Sequence, residues 1–110
     1  MARNHWHILH DDGALTVARR VPVRFDLAVS TRLPMGRKLR LAQQVRQDLW
    51  RLLRGLRGFA PVVRVEEQSG GLLLTAGGQV DGDWPAETES QIAALLACPA
   101  RRARWLRWAA

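Results

Sequence analysis

The chain is 110 residues long and 47% hydrophobic, enough for one core and too short for two full domains, so residues 1–110 are expected to form a single domain. Cys98 is the only cysteine, which excludes an intramolecular disulfide and a thiolate metal cluster. The net charge is +7, with 17 Lys and Arg against 10 Asp and Glu, and no apolar run approaches the roughly 20 residues that cross a bilayer. The start, MARNHWHILHDD, lacks the basic-then-apolar pattern of a leader, and the expectation is a soluble, cytoplasmic, unprocessed chain.

The charge is segmented along the sequence. Residues 32–64 hold nine basic groups against Asp48 alone, residues 65–99 hold six acids and no base, and residues 100–110 hold four arginines. Such asymmetry points to a polyanionic partner, or to a second copy or another protein that meets the opposite pole. Lys38 is the only lysine and tyrosine is absent, so a GC-rich, bacterial-like composition accounts for part of the arginine content.

In chain order, Asn4–His10 and Ala14–Arg20 flank the turn signal Asp11-Asp12-Gly13 and read as a β-hairpin. His5, His7 and His10 are weak candidates for metal ligands. His5 and His7 share a strand face, but His10 falls on the other face and no fourth ligand is placed, so no metal and no cofactor is expected. Val21–Ser30 alternates, with Val21, Val23, Phe25, Leu27 and Val29 on one side, and reads as a strand whose beginning lies at an edge because Pro22 cannot donate to a ladder.

Met35–Gly58 carries the longest unambiguous period. At about 100° per residue, Leu41, Val45, Leu49, Leu52, Leu53 and Leu56 fall on one side of a helix. Arg37, Arg40, Gln44, Gln47, Arg51 and Arg54 fall on the other, with Lys38 and Arg57 adding to the charge of the stretch. Pro34 and the pair Gly55 and Gly58 mark the ends.

Beyond a break at Gly58-Phe59-Ala60-Pro61, Val62–Gln68 and Leu72–Ala76 form a second hairpin around Ser69-Gly70-Gly71. Leu72-Leu73-Leu74 is apolar on both faces, as in a central strand or a strand covered by helices on one side and a partner on the other. Gly77-Gly78 and Asp81-Gly82 read as a loop without phosphate-binding spacing. Asp83-Trp84-Pro85 opens a helix with Glu87 and Glu89 in its first turns and Ile92, Leu95 and Leu96 as its buried stripe, ending near Cys98-Pro99. Cys98 itself reads as a small buried hydrophobe. The tail Ala100–Ala110 makes a short helix in which Trp105 and Trp108 complete the core amid Arg101, Arg102, Arg104 and Arg107.

The expected fold is therefore α+β: a mainly antiparallel sheet of four to five strands, covered on one face by the long basic helix and a shorter one, with the Arg/Trp helical tail. No nucleophile has a base beside it, and neither Asp11-Asp12 nor Glu66-Glu67 makes an acid–base couple, so a non-enzymatic protein is expected. The stripe of Arg and Gln with almost no interspersed acid suits phosphate contacts, giving nucleic acid or another polyanion as the expected partner. The tail arginines form a second basic patch, for which membrane-surface contact is the less favoured reading. The alternative is a protein-interaction or assembly subunit, homodimeric or within a larger complex, using complementary basic and acidic segments.

Overall fold

The computed structural model describes residues 6–110. Five strands and three helices follow in the order β1 (His7–Asp11), β2 (Ala14–Ala18), β3 (Leu27–Leu33), α1 (Lys38–Leu53), β4 (Phe59–Gln68), β5 (Gly71–Val80), α2 (Thr88–Ala97) and α3 (Pro99–Trp108). The strands form one antiparallel sheet in the order β1-β2-β4-β5-β3, so the fold is α+β.

Register separates the two sheet faces. Leu15 and Val17 of β2 pair with Val65 and Val63 of β4, which pair in turn with Leu74 and Ala76 of β5. These side chains are buried together with Leu41, Val45 and Leu49 of α1, Ile92 and Leu96 of α2, and Trp105 of α3. On the opposite face the row Thr16, Arg64, Thr75 and Ser30 is polar. There the Arg64 guanidinium donates to Thr16 Oγ1 at 3.3 Å and the Ser30 and Thr75 hydroxyls are 2.8 Å apart. A sheet with one face beneath helices and the other polar is what period-two alternation predicts. Leu73, which made the β5 sequence apolar on both faces, is half-buried on this second face, in register with Glu66 and Arg32.

Several boundaries differ from the sequence reading. The strand expected over Val21–Ser30 begins at Leu27 and continues to Leu33, while Val21 and Pro22 lie exposed in bends. The Asp26 carboxylate accepts hydrogen bonds from Arg24 (2.8 Å) and from the Val80 backbone N–H (2.9 Å). Arg24 first and then Val80 hold this carboxyl below its ordinary pKa, so an ionised Asp26 pins the entry to β3.

Phe59-Ala60-Pro61 and Gly77-Gly78, expected to break the strands, are inside β4 and β5. Pro61 is tolerated because β2 runs out opposite it, where the Arg19 N–H donates to the Pro61 carbonyl. The two glycines have φ of +158° and +149°. A Cβ on Gly77 would stand 1.8 Å from the Leu27 carbonyl oxygen, and one on Gly78 would stand 2.2 Å from that of Ala60. These contacts require the absence of a side chain, which composition alone cannot distinguish from a loop.

Helix α1 is shorter than Met35–Gly58 at both ends, with Arg37 as its N-cap and Arg54 as its C-cap. The Leu56 N–H closes a turn on Leu53, so Arg57 lies beyond the helix and outside its stripe. Leu41, Val45, Leu49 and Leu53 are buried as expected, whereas Leu52 in the last turn is exposed. Leu49 has no exposed surface, and Leu49→Ala is expected to lower unfolding stability by about 2–5 kcal/mol, measured by chemical denaturation. A loss under about 1 kcal/mol would show that this face does not anchor the helix.

Helix α2 starts three residues after Pro85, at Thr88, with Glu87 as N-cap and Glu89 in the first turn. Cys98, at the α2–α3 junction, is half-buried rather than buried, and the Arg101 backbone N–H lowers its thiol pKa.

Candidate nucleic-acid interface

The geometry of the candidate surface depends on one buried carboxylate. Asp48 of α1 is 2% exposed and accepts a hydrogen bond from the Trp105 indole Nε1 at 2.7 Å and another from Arg104. Arg101 and Arg51 stand 3.7 and 3.5 Å from its other oxygen. At the far end, the Arg37 backbone N–H donates to the Ala109 carbonyl at 2.8 Å, so α3 runs antiparallel along α1. A buried acid needs partners of this kind, because an unpaired charge away from water is costly.

This packing joins the two basic patches that the sequence shows separately. Arg37, Arg40, Gln47, Arg51 and Arg54 are exposed on or beside α1, and Gln44 is half-buried. Arg101 and Arg107 are exposed on α3, and Arg104 is half-buried over Asp48. A shallow groove of about 270 Å³ lies where the helices meet, lined by Arg40, Gln43, Gln44, Gln47 and Trp108. Asp48 is the only acid in either helix, and it is internal and already bonded. The surface therefore presents guanidinium and amide donors without interleaved carboxylates.

Three residues of the expected set stand apart. Lys38 is half-buried on the inner side of α1 and pairs with Glu67 of β4. Arg102 donates to Thr31 Oγ1 (3.0 Å), the Leu96 carbonyl (2.9 Å) and the Arg32 carbonyl (2.7 Å), tying α3 to β3, so it serves the fold rather than the basic patch. Arg57 lies in the turn after α1. The tail tryptophans also divide: Trp105 has no exposed surface, but Trp108 is 57% exposed and does not complete the core.

Trp108 and Gln43 are the residues of this surface that sequence reasoning missed. Their signal was weak, since a tryptophan one turn from a buried tryptophan reads as its core neighbour.

The acidic segment is partly neutralised within the chain. Glu67 pairs with Lys38, Glu66 with Arg64 at 3.4 Å, and Asp81 with Arg20 at 3.6 Å. Of the candidate metal ligands, His7 and His10 are in register with Ala18 and Leu15 and so lie on opposite faces of β1, and His5 lies outside the described residues. Among the described residues no three His, Cys, Asp or Glu side chains are grouped to hold a metal ion. No helix among them is long and apolar enough to cross a membrane. Comparison with protein-family models, curated proteins and solved structures gave no match.

Proposed function

We propose that this protein binds nucleic acid, without catalysis, through the joined α1–α3 surface. The observation that carries the reading is that Arg37, Arg40, Arg51, Arg54, Arg101 and Arg107 are brought onto neighbouring helices with Gln44, Gln47 and an exposed Trp108. Guanidinium groups hold phosphate oxygens with paired donors, and Gln donates to backbone or to base edges. Trp108, open beside the groove, offers a ring on which a base can stack, which favours a single strand over a duplex.

An electrophoretic retardation assay over a salt series tests this. Retardation is expected at low salt, with the logarithm of the affinity falling linearly with the logarithm of salt as counterions are released. Absence of binding at low salt, or binding indifferent to salt, removes the phosphate-contact reading. In the same assay Arg51→Ala combined with Arg54→Ala is expected to weaken binding and flatten the salt dependence. Arg51 is 68% exposed where it meets Asp48, so the pair contributes about 1 kcal/mol or less and the thermal midpoint should barely move. If the double variant unfolds, these arginines are structural and the assembly reading, in which charged segments meet a second copy or a partner, takes precedence.

A further inference from the structure

The flank of α1 turned away from α3 borders a second concavity. Arg46 and Trp50, one turn apart, look across it to Trp6 before β1, to Phe59 and Pro61 at the start of β4, and to Arg19 and Arg20 just after β2. Its volume is about 420 Å³, within the range of small-molecule sites.

The chemistry of the wall is unbalanced. Among the described residues it contains three guanidinium groups and three aromatic rings, and no carboxylate. Arg20 meets Asp81 at 3.6 Å where both are exposed to water. Arg46 has no carboxylate partner among the described residues; its guanidinium lies 4.4 Å from the Trp6 ring centroid, with that of Arg19 at 5.8 Å from the same ring. The Arg46 Nε is shielded from solvent with no acceptor among the described residues, and burial lowers the pKa of the group. Stacking on Trp6 offsets part of the cost of desolvating this cation and supplies no counter-charge. An anion arriving from solvent would supply it. Trp50 is 44% exposed beside these arginines, a flat apolar surface without a covering group.

We infer that this cleft binds a small phosphate monoester carrying a planar ring, of the nucleoside monophosphate class. The phosphate sits on Arg46 and the neighbouring arginines, and the ring lies against Trp50 and Phe59. A carboxylate is satisfied by one guanidinium fork, whereas several guanidinium groups around one concavity match the charge and the three terminal oxygens of a phosphate. The aromatic wall adds affinity for a ring that inorganic phosphate lacks. The cleft shares no lining residue with the Trp108 groove, and this inference stands independently of the α1–α3 reading.

Isothermal titration of the full chain with adenosine monophosphate, adenosine and inorganic phosphate tests it. The monophosphate is expected to bind saturably at one site, with adenosine and phosphate each weaker by about tenfold or more, the effect of losing charged hydrogen bonds or a stacked ring. Trp50→Ala and Arg46→Lys should each weaken the monophosphate by about tenfold. Arg46→Lys keeps the positive charge while removing the fork, so a folded variant with weak binding separates recognition from folding. Arg40→Gln combined with Arg107→Gln, on the other surface, should leave this binding unchanged. Absence of saturable binding, equal affinity for all three compounds, or full affinity in both Trp50→Ala and Arg46→Lys would overturn the inference.

Discussion

Asp48→Ala is expected to destabilise the protein by about 1–3 kcal/mol, the cost of leaving the buried Trp105 indole N–H without its acceptor, since the arginines around the carboxylate reach solvent. In a domain whose total stability is of the order of 5–15 kcal/mol, that is a large share. The substitution leaves the Trp105 indole N–H without its acceptor in a site with no exposed surface, and Arg104 without its carboxylate. Asp48→Asn keeps an oxygen for the indole and loses only the charge, so its cost should be clearly smaller. Chemical denaturation of the three proteins measures both differences. A loss below about 1 kcal/mol in Asp48→Ala would show that α3 is held to α1 by apolar packing alone.

The same substitutions make a prediction about binding whose sign is opposite to that of simple charge counting. Removing an acid from beneath a basic surface would, by Coulomb's law alone, strengthen polyanion binding. If Asp48 instead acts by docking α3, the variant loosens one half of the surface from the other and binding weakens under conditions where the protein remains folded. Tighter binding in a folded Asp48→Asn would mean that the arginines act only through net charge.

The second large effect is expected from the surface itself. Arg37, Arg40 and Arg107 are exposed, and no ion pair holds their side chains among the described residues. Replacing all three with Gln should therefore change stability by no more than about 0.5 kcal/mol per site. Every phosphate that no longer meets a guanidinium lowers the slope of log affinity against log salt by about 0.7 for a single strand and about 0.9 for a duplex, so the triple variant should give a slope shallower by about 2 to 3 units. An unchanged slope would place the phosphate-binding groups elsewhere. Trp108→Ala separates the two kinds of strand: stacking is worth about 1–3 kcal/mol per base, so single-strand binding should fall while duplex binding, whose bases are already stacked, should not.

Much of the scaffold was legible in the order of residues because its signals are local. The turn signals Asp11-Asp12-Gly13 and Ser69-Gly70-Gly71 placed the hairpins, and the 3.6-residue period of Leu41, Val45, Leu49 and Leu53 placed α1 and its buried face. Signals that depend on a neighbour were misread. Gly77-Gly78 resembles a loop until the Leu27 and Ala60 carbonyls are seen against it, and Val21-Pro22-Val23 resembles a strand until Asp26 is found fixed by Arg24 and Val80.

The candidate surface divides in the same way. Sequence alone determined that one side of α1 carries Arg and Gln and that the helix holds a single acid, because helical spacing assigns every residue to a side whatever surrounds the helix. It also determined a second basic cluster in the tail. Tertiary structure alone decided that α3 lies antiparallel to α1, that Asp48 is the joint between them, that Arg102 and Lys38 are held by the fold, and that of two tryptophans one turn apart Trp105 is inside and Trp108 outside. Those outcomes depend on residues far apart in the chain, from Lys38 with Glu67 at a separation of 29 to Arg102 with Thr31 at 71, and a local period carries no information about which distant faces will meet.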